Sequence, residues 1–429
     1  MSTVVRPTTG KTNCPSCHAP AVFGPKIIFG QYWMTRCSKC PYYTWEPLPK
    51  ITKKIVYLDQ LVFSHMLTAK DVRWEELLKR LQLLTYLQII TCPYSEVHED
   101  ESLLAETSRA ALKGLYRALS DGNKFLSPNE IEQNQLLDAI GRHLRGDDGG
   151  IQWQKPKPWR EFSEDDPHRW TSDLAVYADF PLDLAQVQRL KTDKEHLYAG
   201  LGAVADNWKR ETNSFNDDVK REALSYGKAL LEMYRELAGL RKRIEAILPL
   251  EMLDAFKAAY GPDRFDPNTP PGVQPGVMLV HWLAAEVHNT RPDEPDPVAV
   301  VEQFFQTIQA MEVPFQYIAS RLWASIAPNV RSLKGARRPK ASDHYDVTAI
   351  SHYAPYCDAM IVDNEFYAMA TQKNIDVPRK FGVKLFCSKK LHDFIDYLDD
   401  LVATIPHDHR IALKQVFPHL SALSLLKTE

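Results

Sequence analysis

The sequence lacks an excess of either charge: 52 Lys and Arg stand against 55 Asp and Glu, a formal net charge of −3 over 429 residues. That balance excludes a uniformly basic surface, so contact with nucleic acid has to come from local patches. Long apolar runs are also missing. Every stretch is broken by charge well before about 18 apolar residues, which excludes a membrane-crossing helix and a membrane partner. The opening MSTVVRPTTGKTNCPSC has no apolar segment of the kind found in a secretory leader. No internal repeat is evident. The seven cysteines are an odd number for a disulfide framework, and four of them fall in two tight pairs. This usage points to a reducing, cytoplasmic setting and to a metal instead of bridges. What remains is a chain with 44% hydrophobic and 25% charged residues, long enough for two or three domains with cores of their own.

The pairs are Cys14-Pro-Ser-Cys17 and Cys37-Ser-Lys-Cys40. Each Cys-x-x-Cys knuckle lets two thiolates converge, and two knuckles complete a tetrahedral site for Zn²⁺. A redox pair needs only one knuckle. Four protein ligands leave no vacancy, so the zinc is structural. The intervening AVFGPKIIFGQYWMTR reads as two short strands around a Gly-Pro turn, a hairpin too small to fold without its ion. It resembles a zinc ribbon, assigned to residues 1–50. Lys26, Tyr32, Trp33, Arg36, Lys39 and Tyr42 interleave aromatics with positive charge, which suits nucleic acid. An interaction or capping module fits equally, because aromatics also fill a tiny core.

Beyond the ribbon, KIVYLD (54–59) reads as a buried strand ending in an acid. Residues 71–90 repeat apolar residues at Trp74, Leu77, Leu78, Leu81, Leu84 and Leu87, an amphipathic helix. QIITCP is a further strand, followed by the acid-rich YSEVHEDES. Ser127-Pro-Asn-Glu130 is a capping box opening a helix to about Leu144. A Pro- and Trp-rich segment, 146–181, precedes a strongly helical region. After a basic run, the last ninety or so residues alternate strand and helix: Asp346 to Tyr356 helical, DAMIVD a strand, NEFYAMATQ a helix, GVKLFCS a strand and Lys390 to Ala403 a helix. Alternation of this kind predicts an α/β domain with a parallel sheet covered on both faces. Residues 51–110 and 337–429 are its two halves, split by a helical insertion over 111–336. Cys92, Cys357 and Cys387 lie next to strands and read as small buried hydrophobes.

Asp59 and Asp363 end apolar strands, where open parallel sheets bind ligands. Asp346 opens the preceding helix, and Glu96, His98, Glu99, Asp100 and Glu101 follow the QIITCP strand. Acids that converge repel one another unless a cation sits between them, and hard oxygens suit Mg²⁺ or Mn²⁺. Such a centre serves metal-assisted phosphodiester hydrolysis. Taken singly, each acid also reads as a turn or helix-start residue.

The strings KKIVYLDQLVFSHML, IITCPYSEVHEDES and HYDVTAISHYAPYCDAMIVDNEF resemble the PIN-like nuclease superfamily, relatives of VapC-type toxins. The resemblance covers roughly 54–110 and 337–429, and neither the ribbon nor the insertion. It implies a three-layer α/β/α parallel sheet and a Mg²⁺- or Mn²⁺-dependent nuclease acting on RNA or single-stranded DNA, in a toxin or defence setting. Asp59, Asp346 and Asp363 match the family's ordered acids. Tyr94, Ser95, His98 and Glu101 match its second string, so the implied metal ligands are Asp59, Glu101, Asp346 and Asp363, with Glu96 as the alternative to Glu101. Glu99 also qualifies by position. His98 is open to orienting a carboxylate, binding the scissile phosphate or capping its helix, and Asp343 is a further candidate behind the ligands. Small family members are continuous, whereas here the insertion separates the second and third acids. Arg331, Lys334, Arg337, Arg338 and Lys340 form the acid-free basic run, either guiding phosphate or serving as a solvated linker. The competing function is a catalytically inert nucleic-acid-binding or zinc-ribbon scaffold. In either reading, a protein partner or inhibitor is expected to engage the insertion or the ribbon.

Overall fold

The computed structural model describes residues 12–29, 31–68, 71–103, 108–147, 168–171, 184–247, 275–331 and 339–417. At its N-terminal end β1 (Phe23–Phe29), β2 (Tyr32–Cys37) and β3 (Tyr43–Pro47) pair as an antiparallel sheet, one strand more than the sequence suggested. Gly24 is not in a turn. It sits inside β1 at φ 132°, where the register against β2 shifts between Phe23 and Lys26. Glycine alone adopts that backbone freely, and the irregularity bends the strand.

The second sheet is wholly parallel, in the order β5-β4-β6-β7, with β4 (Lys54–Leu58), β5 (Ile90–Thr91), β6 (Ala359–Val362) and β7 (Lys384–Cys387). Central strands buried on both faces need continuous apolar runs, and KIVYL and AMIV supply them. Side-chain alternation divides these strands between two cores. Val56, Leu58 and Ile361 face one core, and Ile55, Tyr57, Met360 and Val362 the other.

Helices cover both faces of this sheet and build a third core beside it. In chain order they are α1 (Gln60–Thr68), α2 (Val72–Tyr86), α3 (Glu96–Leu103), α4 (Arg109–Ser120), α5 (Pro128–Arg145), α6 (Leu184–Arg210), α7 (Phe215–Ile247) and α8 (Pro275–Thr290). There follow α9 (Pro297–Phe305), α10 (Ile308–Met311), α11 (Pro314–Arg331), α12 (Ala341–Tyr353), α13 (Asn364–Ala370), α14 (Val377–Phe381), α15 (Leu391–Ala403) and α16 (His407–Val416). The first face packs against Leu77 and Leu81 of α2, Tyr116 of α4 and Phe394 of α15. The second packs against Ile318 and Leu322 of α11 and Ile350 of α12.

The expected break at 110/111 falls inside α4, whose Leu112, Tyr116 and Leu119 belong to the first core. Hydrophobic burial, not the local pattern, joins that helix to the sheet. Part of the insertion has its own core, where Ile140, Leu231, Leu283 and Phe304 meet, while α11 at its end returns to the sheet. The molecule is thus mixed α/β and mostly helical. Among the described residues no helix is long and apolar enough to cross a membrane. Cys92, Cys357 and Cys387 are buried beside strands, as expected.

Candidate metal centres

The two knuckles close on one point. Cys14 Sγ lies 3.7 Å from Cys40 Sγ and Cys17 Sγ 3.8 Å from Cys37 Sγ, and the four sulfurs lie within 4.8 Å of one another. A tetrahedron with Zn–S bonds of about 2.3 Å has edges of about 3.8 Å, so this set fits one zinc ion. Backbone amides point at the sulfurs: Ser16 and Cys17 N–H donate to Cys14 Sγ at 3.4 and 3.5 Å, and Lys39 N–H to Cys37 Sγ at 3.2 Å. Burial raises the Cys14 thiol, yet these two amides together with hydrogen bonds from the Cys17 and Cys37 thiols bring it down to about 7. Donors aimed at sulfur favour the thiolate, the form that ligates metal.

The acids occupy the opposite kind of environment. Leu58 pairs with Ile361, and Asp59 N–H donates to Ile361 O at 3.1 Å, so Asp59 and Asp363 leave adjacent parallel strands at their carboxyl ends. Each then caps the helix that follows. Asp59 Oδ1 accepts from Leu61 N–H at 2.8 Å, and Asp363 Oδ1 from Glu365 N–H at 2.7 Å. Asp346 does not open its helix: α12 begins at Ala341, and Asp346 lies a turn further in. The start is held by buried Asp343, whose Oδ2 accepts from Lys340 N–H at 2.9 Å.

Burial, then the charges of Asp59, Glu101, Asp363 and Asp343, hold the Asp346 carboxyl far above the ordinary range. Burial and the Asp363 charge also raise Asp59, against the pull of the Leu61 amide and a hydrogen bond with Asp346. Two carboxyl groups sharing a proton are the state that crowded acids adopt without a cation. The donor set is all oxygen and suits a hard divalent ion. The acids are not drawn into a closed shell: among the described residues, only the four cysteines form a set of three or more Cys, His, Asp or Glu whose ligand atoms lie within 4.8 Å of one another.

The acids of α3 divide between two surroundings. Glu101 acts on Asp346 and on the buried Tyr57. Glu96 and Glu99 instead act on Asp100, which burial first and these two charges second push up to about 6. Glu99 also pairs with Lys124 at 2.5 Å. Among the charges that raise Asp346 is that of Glu101.

His98 has no exposed surface. Its Nε2 lies 2.7 Å from Leu58 O, and Ser95 N–H donates to its Nδ1 at 3.0 Å. A carbonyl only accepts, so Nε2 carries the proton. Both ring nitrogens are engaged, and the ring stacks on Tyr57 at 4.9 Å. Of the three roles left open, phosphate binding is excluded: His98 ties the start of α3 to the residue before Asp59.

The basic run separates as well. Arg331 is spent inside the fold, with Nε and Nη1 donating to Trp208 O and Asn213 O at 3.2 and 3.0 Å and Nη2 paired to fully buried Asp218. It is not available to a phosphate, because a buried carboxylate needs its partner. Lys334, Arg337 and Arg338 lie outside the described residues, and Lys340 is exposed before α12. The sequence reading missed a second cationic element: Asn364, next to Asp363, donates to Ser388 Oγ at 2.7 Å and accepts from Lys389 N–H at 3.0 Å. This fixes exposed Lys389 at the neighbouring tip of β7, where the next residue, Lys390, donates its Nζ–H to Tyr367 OH at 2.9 Å. Their place at a strand end was the available signal.

Comparison with known proteins gives no match to the chain from any protein-family model, curated protein or solved structure.

Proposed function

We propose that the protein is a metal-dependent nuclease of the PIN-like type, hydrolysing phosphodiester bonds of RNA or single-stranded DNA, with a structural zinc in its ribbon. The observation that carries this reading is the charge coupling of Asp59, Asp346, Asp363 and Glu101 beside the carboxyl ends of two adjacent parallel strands. Half-buried acids that repel one another weaken a fold, and a site that takes up Mg²⁺ or Mn²⁺ gains from the same crowding. Bound there, such an ion supplies charge stabilisation at the scissile phosphate and an activated water. Asp59 and Asp363, kept in place by the amides they cap, would hold such an ion, with the Asp346 and Glu101 carboxyl groups beside them. Lys389 and Lys390 present positive charge to the substrate backbone on the same edge. A toxin or defence role belongs to this reading by resemblance alone.

The test is cleavage of labelled RNA and single-stranded DNA with and without Mn²⁺. Asp59→Asn and Asp363→Asn each abolish metal-dependent product while far-UV circular dichroism stays that of the parent. Parent-like cleavage by both variants refutes the proposal. A second reading, an inert nucleic-acid-binding scaffold, draws support from the acids' failure to close within ligand distance of one another. It expects salt-dependent binding and no metal-dependent product.

A further inference from the structure

The two faces of the ribbon sheet differ. Ile28 pairs with Trp33, and this face packs on the first core of the parallel-sheet domain, with Ile28 fully buried. The alternate positions form the other face: Phe29 opposite Tyr32, Trp45 opposite Met34 and Tyr43 opposite Arg36. Phe29, Tyr32, Tyr43 and Trp45 are 48, 39, 57 and 44% exposed. Their rings gather around Trp45, with centroids 5.8 Å away for Phe29 and 6.1 Å for both Tyr32 and Tyr43. Tyr32 and Tyr43 stand at 77° and 80° to the indole, so neither stacks face to face on it.

We infer that this face is a binding platform for single-stranded nucleic acid, whose unpaired bases stack on the Trp45 cluster. Contiguous exposed aromatics on a folded surface mark a binding site, and charge decides the occupant. Exposed Arg36 lies on this face, exposed Lys39 follows in the knuckle loop, and none of the strand positions on this face is an acid. The one acid of these strands, Glu46, is on the other face, neutralised by Lys26 at 2.6 Å. Aromatic rings with cations and no anion suit a phosphate-linked chain of bases. A duplex offers few free base faces, which makes the ligand single-stranded. The platform takes its class of ligand from the proposed nuclease and assigns the strand-holding role to the ribbon; its binding needs no cleavage.

The test is fluorescence anisotropy of labelled oligothymidylate and oligouridylate with the full, zinc-loaded chain, at fixed salt and without Mg²⁺ or Mn²⁺. Trp45→Ala, alone and with Tyr43→Ala, weakens binding about tenfold or more, whereas Trp45→Phe stays near the parent. Binding quenches tryptophan emission, and Trp45→Phe reduces that quench. A duplex of matched length binds more weakly than the single strand. Parent-like affinity of the alanine variants at full zinc content overturns the platform. So does concentration-dependent self-association without oligonucleotide that the same variants abolish. Trp45-dependent binding without any cleavage sinks the nuclease and leaves the platform, and cleavage with Trp45-independent binding does the reverse.

Discussion

His98 serves the acid centre without reaching solvent. Its Nε2–H holds Leu58 O at 2.7 Å, directly before Asp59, and its ring lies against Tyr57, which stacks in turn on Tyr353 at 5.4 Å. Burial disfavours the imidazolium and brings His98 down to about 4, although the Leu58 carbonyl pulls the other way. The folded value thus lies below the unfolded one of about 6.5, so the unfolded chain binds the extra proton between them. This contribution to stability is complete above the unfolded value and is lost as pH falls toward the folded one. Between about pH 7 and about pH 5 the loss is about 2 kcal/mol. Because the raised Asp59, Asp100 and Asp346 carboxyls act in the opposite sense over this range, the term is read as the difference in urea unfolding between parent and His98→Gln, which changes by that amount between the two pH values. Equal slopes in parent and variant contradict the assignment.

At the scale of elements, α12 controls where Asp346 sits. Its first turn is tied by Asp343, which accepts the Lys340 amide at 2.9 Å, and Asp346 follows one turn later. Asp343→Ala removes that acceptor and costs about 1 to 2 kcal/mol, whereas Asp343→Asn keeps an oxygen in place and recovers most of it. Chemical denaturation of the two variants checks this, and equal losses contradict the capping role. The same helix shows where local reading fails. Its N-cap is Lys340, which carries no capping signal, so Asp346 looked like the helix start. The Ser127 capping box, in contrast, is where the sequence places it, with Glu130 Oε2 accepting Ser127 N–H at 2.9 Å. Strands β4 and β6 were equally legible, because a centre buried on both faces demands unbroken apolar runs. β5, expected within QIITCP, is there but only two residues long, whereas the third ribbon strand was not legible, since pairing with β2 creates it. For the acids, strand ends pointed to Asp59 and Asp363. Nothing local distinguishes Glu101 from Glu96 and Glu99; what favours it in the structure is that its charge acts on Asp346.

At the scale of the whole molecule, metal content and the two sheets are separable. The parallel sheet is joined through β4 and β6, from distant parts of the chain, and its cores draw on helices α2, α4, α11, α12 and α15, with Ile28 and Leu48 entering the first core from the ribbon side. The ribbon has little core of its own and rests on the body through Ile28 and Trp33. The connection after it is pinned where Trp170 Nε1–H donates to Pro49 O at 2.7 Å. Ligation energy is then folding energy for the ribbon alone. Cys17→Ser with Cys37→Ser removes the zinc, which elemental analysis of the parent finds at one ion per chain. The ribbon unfolds in the variant, its Trp45 platform is lost, and affinity for oligothymidylate falls about tenfold or more, as for Trp45→Ala. The α/β body keeps its helical circular dichroism, and Mn²⁺-dependent cleavage at saturating substrate persists, because Asp59, Asp346 and Asp363 sit on elements the zinc does not support. Loss of the body's cooperative unfolding along with the zinc contradicts this independence, and unchanged oligonucleotide affinity contradicts the role given to the ribbon.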